Sequence, residues 1–407
     1  VRKGYFNNVN ENVLVDVPLT KTDATLLDGS IKIKARLKSN GAVNNWATVS
    51  TDWDVITNAE LTAGTKKLTV TKAEINAYIG QDLNEIEFTA DVKDKAGNIT
   101  EQLGSDETLI VDRTAPTSAQ VGTVTAVGGT VVTAYWNSTN SSVDVLVDFE
   151  DNDVSLQSGQ IVLTGSENDV GYTDFGDTLT ISAGIYSAGK ATVSVNSTID
   201  GAVLGFEELP FFSEGDEVRF RAKVLDRAGN ETHFTVSAST LIVKQILPTV
   251  TRVTSANDNK AYGAGASLSI QVVGSEVLNV TNTPRLKLET GDTDALINYA
   301  SGSASNTLVF TYPVIAPHTS SDLNYFDQTS LTLGGTDFIR DNFGNPLTLD
   351  LPQLSDNNAL KEQKDLVIDT TPPSVRFTYN DADSLVRKET GTLIITATFS
   401  DSIQVDS

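Results

Sequence analysis

Asp226-Arg-Ala-Gly229-Asn230, followed by Leu241-Ile-Val-Lys-Gln-Ile-Leu-Pro248, is the stretch on which the fold turns. The same pair of signals stands at Asp94-Lys-Ala-Gly97-Asn98 with Leu109-Ile-Val-Asp-Arg-Thr-Ala-Pro116. It returns at Asp341-Asn-Phe-Gly344-Asn345 with Leu366-Val-Ile-Asp-Thr-Thr-Pro-Pro373. In the first two copies 22 residues separate the Asp from the closing Pro. Self-similarity at a fixed spacing marks a repeated architecture. Each copy reads as a tight turn, then a short apolar strand that proline ends. The prolines therefore set the boundaries. Residues 1–113, 114–246 and 247–370 each form one domain, and 371–407 hold the opening strands of a fourth.

Working outward, Tyr5-Phe-Asn7 with Asn10, Val13, Val15 and Val17 matches Tyr135-Trp-Asn137 with Asn140, Val143, Val145 and Val147 at an offset of 130. Pro248-Thr-Val250 and Leu268-Ser-Ile270 match Pro373-Ser-Val375 and Leu393-Ile-Ile395 at an offset of 125. The chain thus holds two subtypes of one module. The second domain has a strand-like Gln120-Val-Gly-Thr-Val-Thr-Ala126 ahead of Tyr135, and the first has only four residues ahead of Tyr5. The first domain is therefore expected to lack its first strand. Both ends read as cut from a longer array, or as leaving a strand for a neighbouring copy to supply.

Strict alternation runs through Val143–Asp148, Glu217–Val224, Glu85–Val92 and Ser267–Val273. Period two means one buried and one wet face, so the fold class is all-β, built of two-sheet sandwiches. The single helix expected is Thr71–Tyr78, where Thr71 and Glu74 make a capping box.

Composition narrows the function. Lys and Arg number 29 against 53 Asp and Glu, a net charge of −24. That balance argues against nucleic acid and against an anionic membrane surface. Cysteine is absent, which removes disulfides, thiolate nucleophiles and Cys-based zinc sites. Two histidines leave little material for general-base catalysis. No apolar run is long enough for a spanning helix. The sequence has no Gly-x-Ser-x-Gly elbow and no P-loop, and its acids spread evenly rather than as a glycosidase pair. The chain reads as a non-enzyme.

Taken together, these repeats resemble the tandem immunoglobulin-like repeats of giant prokaryotic surface proteins, of the adhesin-stalk and S-layer type. The third domain carries the pattern most fully, through Pro248-Thr-Val, Thr283-Pro-Arg-Leu-Lys-Leu-Glu-Thr-Gly291, Leu331-Thr-Leu-Gly-Gly335 and Asp341–Asn345. The resemblance implies tandem immunoglobulin-like β-sandwiches in an elongated array, outside the cell. They would act as non-catalytic spacers or lattice units, often stiffened by calcium. The partners implied are neighbouring copies of the chain or further such domains. An alternative is an adhesin module that binds a glycan or protein ligand through loops of the second domain, around Phe206-Glu-Glu-Leu-Pro-Phe-Phe212.

Two acidic motifs are the candidate sites. The Asp-x-x-Gly-Asn hairpin needs nothing beyond its own turn chemistry, yet its oxygens also suit Ca2+. In an immunoglobulin-like sandwich this hairpin is expected between the last two strands, facing the linker from the previous domain. Asp226 and Asn230 should then lie near Asp112 and form a calcium site at the first junction. At the second junction Lys244 replaces the acid, so no site is expected there. The other candidate is Asp148, Glu150, Asp151 and Asp153, either a solvated acidic loop or a second calcium site; it lacks the EF-hand pattern. Asp52/Asp54, Asp292/Asp294 and Asp381/Asp383 are weaker pairs. His233 and His318 read as surface-loop residues, and Trp46, Trp53 and Trp136 as buried aromatics rather than sugar platforms.

Overall fold

The computed structural model describes residues 3–39, 42–43, 46–50, 52–78, 82–101, 104–105, 107–117, 119–149, 152–167, 169–379 and 392–400. They fall into two compact units, Val1–Lys244 and Gln245–Ser407. The chain is all-β and immunoglobulin-like. The first unit contains two hydrophobic cores, one drawn from Phe6 to Val111 and one from Val121 to Val243. The second unit contains a third core, from Val253 to Ile368.

Both sandwiches of the first unit repeat one plan. In the second sandwich the larger sheet runs Tyr135–Asn137, Leu241–Lys244, Glu217–Leu225, Gln160–Glu167, Thr173–Thr180. The facing sheet runs Ala119–Val127, Ser142–Phe149, Lys190–Asn196. Alternation decides which side chains go inside: Val143, Val145 and Val147 are fully buried between the sheets, and Asp144 and Asp148 look outward. Trp136 and Phe206 anchor this core with ring centroids 4.7 Å apart, edge to face, and Phe220 stacks on Phe206 at 5.7 Å. The Trp136 indole N–H donates to Glu207 Oε1 at 2.9 Å, so its one polar atom is satisfied inside. The Phe206–Phe212 stretch is thus packing under a long connection.

In the first sandwich the same larger sheet runs Tyr5–Phe6, Leu109–Val111, Asn84–Lys93, Ser30–Ser39. Its facing sheet has two strands, Asn12–Pro18 and Thr65–Thr71, paired Val13 to Val70 and Val17 to Lys66. The position that Ala119–Val127 takes in the second sandwich carries no strand among the described residues here.

The third sandwich orders its larger sheet Val250–Ser255, Ser267–Thr281, Ser305–Pro313, Ala295–Ser301, Arg285–Glu289, Asn324–Tyr325. Lys260–Tyr262, Leu366–Asp369 and Thr319–Ser320 make the facing sheet. After it, Val375–Tyr379 and Ile395–Phe399 pair as an exposed antiparallel hairpin.

Three expectations are corrected. The capped helix at Lys72–Tyr78 is present, but Asn58–Ala63, Ala183–Ala188 and Leu360–Gln363 are helical too. The first of these carries its own capping box, Thr57 with Glu60. The Asp-x-x-Gly-Asn hairpins of the first two sandwiches join the long strand to a three-residue strand, Ile99–Glu101 or Glu231–His233, and the final strand comes later. Finally, His318 is not a surface residue. It is 6% exposed, with Nδ1 3.1 Å from the Tyr312 hydroxyl. Burial there pushes the Tyr312 phenol up to about 12. His233 is exposed, on a strand rather than a loop.

Candidate functional site

The hairpin motif builds itself first. In the second sandwich Asp226 Oδ1 accepts from the Asn230 backbone N–H at 2.9 Å, and Oδ2 accepts from Asn230 Nδ2 at 2.8 Å. Gly229 supplies the left-handed backbone, φ +88°, that lets the turn close. The same bonds recur at Asp94–Asn98 and Asp341–Asn345.

What differs is the surroundings. The Asp94 hairpin lies at the surface, and its bonds to Asn98 hold the carboxyl below the usual range. The Asp226 hairpin is pressed against the first sandwich and its outgoing chain. Asn230 Nδ2 also donates to the Asp112 carbonyl at 2.8 Å, and Asn230 Oδ1 accepts from the Asn8 N–H at 3.1 Å. Asn7 Nδ2 donates to the Ala228 carbonyl at 2.9 Å, and Thr232 Oγ1 to that of Pro116 at 2.7 Å. Asp226, Asn230 and Asp112 are all at most 2% exposed. Burial pushes the Asp226 carboxyl up despite its bonds to Asn230.

Asp112 is the unusual group. Its backbone N–H closes a bond to the Phe6 carbonyl at 2.9 Å, which fixes its position at the end of the last strand. Its Oδ2 is buried with no hydrogen-bond partner. Burial, then the charge of Asp226, raise the carboxyl to about 6; Asp82 and Asp153 push the same way. Asp82, Asp112 and Asp153 line one cleft of about 330 Å³, together with Thr114, Asn152 and Ser155.

The sequence-predicted residues therefore regroup. Asp153 leaves the run 148–153 and joins Asp112, because it caps the short 3-10 turn Val154–Leu156 that points into the junction. Asp148 stays on its strand, in register with Lys190. Glu150 and Asp151 lie outside the described residues, as do Asp381 and Asp383. Asp82, which sequence reasoning passed over, faces the cleft; Arg113 Nε donates to its Oδ1 at 2.8 Å, and Thr114 Oγ1 bonds its other oxygen. Among the described residues no three His, Asp or Glu side chains form a group that could by themselves hold a metal. Two of the weaker pairs are answered by lysines: Asp54 by Lys66 at 3.0 Å and Asp294 by Lys287 at 2.8 Å.

A hard cation would find mixed material here. The Asp112 Oδ2 orphan fits one, and Asp153, whose Oδ1 alone serves Ser155, fits a second. Asp226 and Asn230 fit poorly as primary ligands, since their oxygens already hold the hairpin and the clamp. Lys244 pairs with Glu214 of its own sandwich at 3.2 Å. Of the tryptophans, Trp136 is buried, Trp46 lies under Arg36 at 4.4 Å and Trp53 under Lys93 at 4.2 Å. No helix among the described residues is long and apolar enough to cross a membrane.

No family model and no curated protein matches this chain. Among solved structures, it is similar to part of a 1.5-MDa bacterial ice-binding adhesin concerned with host cell surface retention, at 14% identity and TM-score 0.31, over 83% of this chain and 91% of that one. A tetra-tandem repeat from the extending region of a large adhesion protein matches at 14% identity and TM-score 0.25, over 96% and 88%. The FN1–FN3 domains of chicken CNTN1 match at 8% and 0.22, over 80% and 96%. Likenesses this loose say nothing about function.

Proposed function

We propose that this chain is a structural repeat segment of an extracellular cell-surface protein, a stalk, S-layer or filament, whose first junction is stiffened by calcium. Repeats that each close their own core around apolar side chains support the mechanical reading. The observation that carries the calcium reading is the buried, unpartnered Asp112 Oδ2 in a cleft between two clamped sandwiches. A carboxylate oxygen taken from water and given no donor is costly unless it is protonated or meets a cation. Ca2+ takes six to eight oxygens; Asp112 and Asp153 would supply carboxylates, and carbonyls and water the rest. The bound ion would tie the outgoing chain of one sandwich to the 3-10 turn of the next. Burial of Phe206 and Trp136 disfavours the alternative of a glycan or protein site in the second domain.

The test is calorimetry of the whole chain at neutral pH with millimolar CaCl2 or with a chelator. Calcium should raise the melting of the Val1–Lys244 unit by several degrees, roughly 2–4 °C per kcal/mol of linkage. Asp112→Asn should remove that response. Identical profiles with and without the ion would end the calcium reading and leave the sandwiches standing.

A further inference from the structure

The third sandwich has an opening inside a sheet rather than at its rim. Ala295–Ser301 and Ser305–Pro313 are inner neighbours, each flanked by a further strand. They pair from Ser301–Val309 to Asn298–Thr311, and there the ladder stops. Both strands run on, Leu296 in register with Lys287 and Pro313 with Ser267 on their other sides. The sequence accounts for the parting. The Tyr299 N–H bonds the Pro284 carbonyl and the Val314 N–H that of Ala266, so alternation turns the main-chain groups of Leu296 and Pro313 toward each other. Proline has no N–H to offer the Leu296 carbonyl, and the next rung cannot form.

A cavity of about 510 Å³ opens at this place. Its most buried polar lining is the Tyr312–His318 pair, with rings stacked at 5.8 Å and the Tyr312 hydroxyl 3.1 Å from His318 Nδ1. His318 Nε2 has no partner among the described residues. Asn298 and Thr311, side by side on the last rung, are exposed, and their side chains bond nothing among the described residues. Leu296 and Ile315, each 55% exposed, add apolar surface. Asp294, the one lining carboxylate, is answered by Lys287 at 2.8 Å, so the wall carries no net charge.

These groups select the chemistry of an occupant. An ionised ligand would meet no counter-charge, and an anion is repelled by the chain's net charge of −24. A wholly apolar one would strip water from His318 Nε2, Asn298 and Thr311 and return no hydrogen bond. A hydroxyl both donates and accepts, so it suits the imidazole in either tautomer, the amide and the threonine alike. A small ring with several hydroxyls and an apolar C–H face meets every one of these demands, and the volume is that of a small-ligand site.

We propose that this cavity of the third sandwich binds a neutral hexose, free or at the end of a glycan. Its hydroxyls would bond His318 Nε2, Asn298 and Thr311, and its C–H face would rest on Leu296 and Ile315.

The experiment is side-chain NMR of the full chain, isotope-labelled at its two histidines, titrated with glucose, galactose and mannose at millimolar concentrations. His318 should shift saturably with at least one of them, and His233, exposed on the Val1–Lys244 unit, should stay still as an internal control. If the methyl glycoside of that sugar binds equally, the source is a glycan end; if it is rejected, the source is the free sugar. Thr311→Val keeps a β-branched residue at an exposed strand position and should weaken binding roughly three- to tenfold with an unchanged melting profile. Ala300→Trp, at another exposed lining position, should fill the mouth and abolish the shift. A His318 signal that ignores all three sugars, that moves only in step with His233, or that responds as before in both variants would overturn the proposal.

Discussion

Asp112 titrates against the direction usual for a carboxylate. Its folded value, about 6, lies above the unfolded 3.8. Between those values the folded state binds more protons, so its contribution to stability is largest in acid. That contribution falls as pH rises and levels off above about pH 6. The cost at neutral pH is on the order of 1–3 kcal/mol. Asp112→Asn should recover most of it in a chelator, with a flattened dependence of urea midpoint on pH between about 4 and 6. Asn230→Ala should go the other way. It strips a donor from Asp226 and from the Asp112 carbonyl and leaves buried acceptors unpaired, a loss of roughly 2–4 kcal/mol in urea unfolding of the first unit.

At the scale of the element, one hairpin sequence serves two settings. Gly97 and Gly229 have nearly the same φ, +93° and +88°. Alanine at either position meets a left-handed cost of roughly 1–2 kcal/mol. Gly229→Ala should lose more, because its turn also positions the clamp to Asn7, Asn8 and Asp112; thermal melts of the two variants side by side measure the difference. In the core, Phe206→Ala should cost roughly 3–5 kcal/mol, since Trp136, Phe175, Phe212 and Phe220 all lose their central ring.

These elements also mark what a reader of the sequence can reach. Alternation and turn chemistry are local, so the strands and the Asp-x-x-Gly-Asn turns follow from short stretches, whereas the place of those turns among the strands did not. Thr57 with Glu60 was equally legible, by the same signature as Thr71 with Glu74. The meeting of Asp82, Asp112 and Asp153 was not, because three separate segments converge there only once both sandwiches have formed. Nor was His318, whose burial depends on a bond to Tyr312 that no periodicity encodes.

For the whole molecule, calcium sensitivity should be confined to one unit. The cleft with the orphaned oxygen belongs to Val1–Lys244, and in the other unit Thr348, just after the Asp341 hairpin, bonds the Pro248 carbonyl and bridges Thr249, with no acid among Lys244–Leu247. Two-transition melting curves should therefore show one transition that moves with the ion and one that does not.

A further property is written into all three sandwiches. Tyr5–Phe6 runs parallel to Leu109–Val111, Tyr135–Asn137 to Leu241–Lys244, and Lys260–Tyr262 to Leu366–Asp369. A pull on the polypeptide drags two parallel neighbours past each other lengthwise. Their rungs must then rupture together rather than peel one at a time, as they would in a hairpin tugged open at its free ends. Such a join gives way in one step rather than strand by strand.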